Sequence, residues 1–380
     1  MSYLAAIVQE APEAPSSVQR KALLVLGMHR SGTSALTRVL GLCGASLPQQ
    51  NIADPHESNP LGHWEPQRIV DTHDRFLEEA GTAWDAILGY PDMMFTSALA
   101  ASYRHRLTDI VRSEYGDAPI FVLKDPRTSR LMPLWRPVLE ALPATPHAII
   151  MVRNPLEVAS SLQRRDGWDE YRALVVWLRY MLSAERETRD IARCFVKYDD
   201  LIENWQSVTS ALSAQLNITF PIRSAEIEDK IDRFVRHDLR HHQRSSAELF
   251  YRGDIADCIK RAYQCFCAAA ETGIVDYAAL DNIADALDGA ERVFRRMRHS
   301  GSKQSLRTVA VGKTAPERQD ALLALVLAEF GRATDIAEQS ERVLQEVLTS
   351  RSWRFTKLFR ALGRSMARVF HPPVKLSGRS

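Results

Sequence analysis

The chain has 380 residues, 45% of them hydrophobic and 25% charged, with a formal net charge of +2. That length allows one large domain with an appendage, and the charged fraction is an ordinary globular value. The charge is unevenly placed: Arg351 to Ser380 holds eight Lys or Arg and no acid, so the rest of the chain is net acidic. The five cysteines (Cys43, Cys194, Cys258, Cys265, Cys267) form no CxxC pair, which argues against a disulfide framework or a zinc site.

The start, Glu10 to Ser17, is acidic and rich in Pro and Ser, with no basic region before an apolar run. It reads as a disordered segment over 1–20 rather than a signal peptide. No apolar run reaches the ~18 residues of a membrane-spanning helix, and a cytoplasmic protein is expected.

Ala22 to Leu26 is a short apolar run ending at Gly27, the pattern of a buried parallel strand. Ser34 to Gly44 follows with Leu36, Val39, Leu40 and Cys43 at helical spacing. Further buried strands are expected at Ile120 to Leu123, Ile149 to Val152 and Phe195 to Tyr198. Helical stretches separate them at Ser97–Tyr115, Leu131–Leu142 and Pro155–Arg193. Asn154 as N-cap, Pro155 at the first helical position and Glu157 at the capping-box position mark the start of the last. Alternating strands and helices predict an α/β fold with a central, mainly parallel sheet flanked by helices. Beyond Thr219 the pattern is helical. The domain is expected to span 21–300, with a linker at 301–316 and a helical extension at 317–380.

Gly27-Met28-His29-Arg30-Ser31-Gly32-Thr33-Ser34 lies between the first strand and the first helix, where backbone N–H groups and a helix N-terminus favour an anion. Gly27, Gly32 and Ser34 match the nucleotide-triphosphate loop GxxxxGK[ST], but Thr33 stands where its lysine belongs. Arg30 supplies a cation instead, able to grip phosphate or sulfate oxygens in bidentate fashion. The missing lysine argues against a Mg²⁺-dependent kinase or NTPase, the first alternative; a non-catalytic nucleotide- or glycan-binding module is the second.

His29-Arg30-Ser31-Gly32-Thr33-Ser34 resembles the 5′-phosphosulfate loop of P-loop sulfotransferases, in the arginine form of tyrosylprotein sulfotransferases and many bacterial ones. The resemblance implies a second element, an Arg ending a later strand and a Ser eight residues on. Arg153 and Ser161 fit it, and Val152 to Ser161 is similar throughout to the family's 3′-phosphate site. Tyr198, in Phe195 to Leu201, resembles the family tyrosine that lies near the adenine. The implied donor is 3′-phosphoadenosine 5′-phosphosulfate (PAPS), used without a metal.

Sulfuryl transfer through a loose transition state depends on positioning and electrostatics. Arg30 is expected at the leaving phosphate. Lys124, which resembles the lysine of a Lys-Asp-Pro run in the tyrosylprotein branch, is expected at the sulfuryl and bridging oxygens. Glu65, at the end of Asn59 to Glu65, is the first choice of base, since an adjoining indole and bound anions would raise its pKa. His63, Glu57, His56 and Asp125 remain open as rivals. The His-rich stretch Arg236 to His242 reads as a basic segment near the nucleotide rather than a metal site.

In the tail, 351–370 interleaves basic residues with Trp353, Phe355, Leu358 and Phe359. This is the pattern of an amphipathic helix on a membrane surface. Its Ser-Trp-Arg run resembles tails on bacterial polysaccharide glycosyltransferases, which implies a saccharide acceptor on a cell-surface glycan precursor. Nucleic acid is not expected, for want of a basic, aromatic-rich face in the core.

Overall fold

The computed structural model describes residues 19–49, 62–222, 224–236 and 244–299. The expected linker, helical extension and tail lie outside these residues, as do His56, Glu57, His237, His241 and His242.

Among the described residues four strands build the sheet: β1 (Arg20–Leu26), β2 (Ile120–Lys124), β3 (Ala144–Val152) and β4 (Ala192–Lys197). They lie in the order β2-β1-β3-β4, and every neighbouring pair is parallel. Side chains alternate across a strand, and β1 shows the consequence. Ala22, Leu24 and Leu26 enter one buried cluster, Leu23 and Val25 another on the opposite face. Both faces are thus covered, which is why the strands read as unbroken apolar runs.

One face is covered mainly by α2 (Gln67–Glu79), α4 (Ala98–Tyr115), α5 (Thr128–Glu140), α7 (Glu170–Arg186), α12 (Asp257–Thr272) and α13 (Tyr277–His299). The other carries α1 (Thr33–Leu42), α9 (Trp205–Gln215) and α10 (Ala225–Arg236). Shorter helices are α3 (Asp92–Phe95), α8 (Tyr198–Glu203) and α11 (Ser246–Tyr251); α6 (Pro155–Asp166) follows β3.

The helix expected over Pro155–Arg193 is two helices. Gly167 adopts a left-handed φ of 69° and caps α6, and Asp169 then accepts from the Tyr171 and Arg172 N–H groups to start α7. The capping-box expectation also needs correction. The Asn154 side chain does accept from Leu156 N at 3.0 Å, but the Glu157 carboxylate turns to Arg153 and Arg244 instead.

Chain order places the site. The path from β1 leads to β2 on one side and then to β3 on the other, so the sheet has a topological switch point between β1 and β3. Open α/β sheets bind ligands at such points, outside the carboxyl ends of the strands. Register aligns Leu26 with Ile150 and Val25 with Lys124. The loop after β1, Lys124 and Arg153 therefore share one edge.

Candidate active site

The loop after β1 is shaped by two glycines and held by a serine. Gly27 has φ 134°, and a Cβ there would lie 3.0 Å from the Met151 carbonyl oxygen. Its N–H donates to Ser129 Oγ at 2.9 Å. Gly32 has φ 88°, and a Cβ there would come within 2.3 Å of the Tyr198 ring. Arg30 between them adopts a left-handed φ of 68° without being glycine, a conformation that persists where surrounding structure enforces it. The first turn of α1 has neither a side-chain cap nor an acidic residue, so its N–H groups keep their preference for an anion. Thr33 is buried at that turn. Two polar groups in the loop, Ser31 Oγ and His29 Nε2, are buried with no hydrogen-bond partner among the described residues. Such groups are costly unless something satisfies them.

Arg30 and Ser161 stand 131 residues apart in sequence, yet Arg30 Nε donates to Ser161 Oγ at 2.8 Å. Arg153 Nη1 donates to the Arg30 carbonyl at 2.9 Å, and its guanidinium lies 4.0 Å from the centre of the Tyr198 ring. The two motifs are therefore one site. Tyr198 is buried between Gly32 and Arg153, so its ring already spans the two loops. Burial lowers the Arg30 pKa to about 10, aided by repulsion from Arg165, Arg153 and Arg164. Arg30 stays charged at neutral pH, and an anion would relieve that repulsion. The His29 ring packs against Trp84, centroids 4.4 Å apart and planes tilted by 46°. Burial, and then Arg127 and Arg165, keep it well below the ordinary imidazole pKa, hence neutral.

Lys124 closes the third side. It is 2% exposed, and its ammonium donates to Ser34 Oγ at 2.9 Å, to the His63 carbonyl at 2.9 Å and to Glu65 Oε1 at 2.5 Å. Ser34 Oγ in turn donates to the His63 carbonyl at 3.1 Å. Burial raises the Glu65 pKa, against the pull of Lys124. The Trp64 indole of the same segment lies under the Arg38 guanidinium at 4.4 Å.

Asp125, a rival for the base, is committed to its neighbours. Burial alone would raise its pKa, but Arg127 and the hydrogen bond from His73 overcome this and hold it far below the usual carboxylate range. His73 Nδ1 is 2.8 Å from Asp125 Oδ2, and Trp135 Nε1 donates to His73 Nε2 at 2.8 Å. With Nε2 accepting, the proton belongs on Nδ1, facing the carboxylate. Both Asp125 oxygens are thereby occupied, the other accepting from Arg127. Asp125 is a strut for the turn after Lys124.

The structure thus brings together Arg30, Ser161, Arg153 and Tyr198, and separately Ser34, Lys124 and Glu65. Sequence reasoning passed over Ser129, His73 and Trp135, and gave Glu157 only a capping role. Among the described residues no three His, Cys, Asp or Glu are grouped to hold a metal, and all five cysteines are free.

Comparison with known proteins follows the same line. A model described as the sulfotransferase family matches residues 22–221. Among solved structures, one similar chain is the sulfotransferase domain from the curacin biosynthetic pathway, at 18% identity over 55% of this chain and 76% of that one, with a TM-score of 0.32. Another is the sulfotransferase domain from the Synechococcus PCC 7002 olefin synthase, at 16% identity over 67% of this chain and 97% of that one, with a TM-score of 0.38. No curated protein matches the chain. The family match takes in more than half of the sequence, including most of β1, the loop that follows it, Lys124, Arg153 and Ser161, and the chain belongs to the sulfotransferase family.

Proposed function

We propose that the protein transfers a sulfuryl group from PAPS to an acceptor hydroxyl on a saccharide, as part of making a cell-surface glycan. The observation that carries the donor is the 2.8 Å bond from Arg30 to Ser161, with Arg153 bound to the Arg30 carbonyl. Two anion-binding elements meet at one edge, as a ligand with phosphates at both 3′ and 5′ positions requires. The orphaned Ser31 Oγ and His29 Nε2 also fit a polar ligand in the loop.

PAPS supplies an activated sulfuryl group on a phosphate leaving group. The loop 29–34 and the start of α1 hold the 5′ end, and Arg30 balances charge on the leaving phosphate. Arg153 and Ser161 hold the 3′-phosphate. Lys124 Nζ, fixed by Ser34 and the His63 carbonyl, faces charge that develops on the sulfuryl and bridging oxygens. The Glu65 carboxylate takes the acceptor hydroxyl proton; its raised pKa suits a base working near neutral pH. Net transfer forms one O–S bond at the acceptor and breaks the O–S bond to the nucleotide, without a metal.

The saccharide acceptor rests on the tail's resemblance. The same tail, 351–370, is proposed to touch the inner face of a membrane. The test is transfer of labelled sulfate from PAPS to a panel of oligosaccharides, tyrosine peptides and simple alcohols. Turnover confined to saccharides supports the reading, and turnover only with a peptide or alcohol overturns the acceptor class.

A further inference from the structure

Arg153 is held in a way that a lone phosphate ligand would not need. Its Nε donates to Glu157 Oε2 at 2.8 Å, its Nη1 to the Arg30 carbonyl at 2.9 Å, and its Cζ lies over the Tyr198 ring, 4.0 Å from the centroid. Nη2 has no partner among the described residues. The fork is therefore fixed on one side and open on the other.

Glu157 is fixed as well. It sits on the first turn of α6 and is 5% exposed. Its second oxygen, Oε1, accepts from the Arg244 backbone N–H at 3.0 Å. Asn154 Nδ2 donates to the Arg244 carbonyl at 3.0 Å, so the backbone at Arg244 is gripped in both directions by the start of α6. A carboxylate with each oxygen committed to a separate donor cannot swing, and neither can the guanidinium it holds.

We propose that Glu157 is a positioning residue that presets the Arg153 fork for the 3′-phosphate and so sets the preference for 3′-phosphorylated nucleotides. The inference rests on the reading of Arg153 given under the proposed function. Its physical basis is preorganisation: a long side chain already ordered loses little freedom on binding, whereas a free one must be ordered by the ligand. A negative charge beside the guanidinium also keeps the fork from pairing elsewhere, and its cost near a phosphate is offset by the two donors it already satisfies.

The test uses the full chain and two nucleotides that differ at the 3′ position: adenosine 3′,5′-bisphosphate (PAP) and adenosine 5′-phosphosulfate. Calorimetry gives the ratio of their dissociation constants for wild type, Glu157→Gln and Arg153→Ala. In Glu157→Gln the preference for PAP is expected to fall about five- to tenfold, the scale of ordering one long side chain, while adenosine 5′-phosphosulfate binds within about twofold of wild type. A purely structural role would weaken both nucleotides equally and leave the ratio unchanged, which overturns the inference. The arginine variant separates the two claims. A ratio that collapses in Arg153→Ala but holds in Glu157→Gln overturns the positioning role alone. A ratio unchanged in both overturns the 3′-phosphate site and the inference with it. Should the glutamine variant fold poorly, Glu157→Asp keeps the charge but shortens the arm, and the same ratio must still fall.

Discussion

Replacing Arg153 by alanine tests the division of labour within the proposed anion site. In the free protein Arg153 binds the Arg30 carbonyl, the Glu157 carboxylate and the Tyr198 ring, and its side chain is 10% exposed. Losing a charge-assisted contact to phosphate at so buried a position is expected to cost about 2–4 kcal/mol of PAP affinity, or roughly 30- to 1,000-fold. Adenosine 5′-phosphosulfate, which lacks the 3′-phosphate, should lose far less. The substitution also strands the buried Glu157, so a drop in thermal midpoint is expected and must be measured alongside. Arg153→Lys keeps the charge but not the fork, and should recover part of the affinity for PAP. Calorimetry of both nucleotides on both variants decides the matter: equal losses for the two ligands would refute the assignment.

The remaining expectations concern the chemistry and its support. Lys124→Ala should lower kcat by about 10²–10³-fold while PAP binding stays within a few fold, read by initial rates and calorimetry; a normal kcat would remove Lys124 from the transition state. Glu65→Gln should lower kcat by about 10²–10⁴-fold and abolish the acidic limb of the pH–rate profile. In wild type that limb should lie above the ordinary glutamate range, because burial raises the Glu65 pKa and the base works only when deprotonated. An unchanged profile in the variant would pass the role to another group. Asp125→Asn should destabilise the fold by about 3 kcal/mol through its lost hold on Arg127 and His73. Since the folded-state pKa of Asp125 is depressed, its stabilisation is present above the unfolded value near ~4 and is lost as pH falls toward the folded one. Acid unfolding monitored by circular dichroism should therefore separate wild type from the variant at neutral pH and bring them together in strong acid.

Much of this site can be read in the sequence because its parts are local. The strand–glycine–helix order around Gly27 to Ser34, and Arg153 with Ser161, each follow from a short stretch of chain. Apolar runs at Ala22–Leu26 and Ile149–Val152 reveal strands buried on both faces, since both residue parities face a core. What the sequence hides is set by tertiary packing. The Arg30–Ser161 bond and the seating of Tyr198 on Gly32 join segments far apart in the chain, and spacing rules do not reach that far. Glu157 obeys a capping rule in the sequence but is drawn away by Arg153 and Arg244. Asp125 follows a strand as a catalytic base could; only its bonds to His73 and Arg127, with Trp135 behind His73, show both its oxygens taken up in holding the turn. The break at Gly167 has a local signal, a glycine followed by the capping Asp169, that the strong apolar run of α7 masks.

The most direct test of the central claim is calorimetric titration of the full chain with PAP, with and without Mg²⁺, alongside ATP. The account predicts tight binding of PAP that does not depend on the metal, and little affinity for ATP. Absence of PAP binding, or binding of ATP only with Mg²⁺, would contradict it and return the loop at Gly27 to Ser34 to nucleotide triphosphate chemistry.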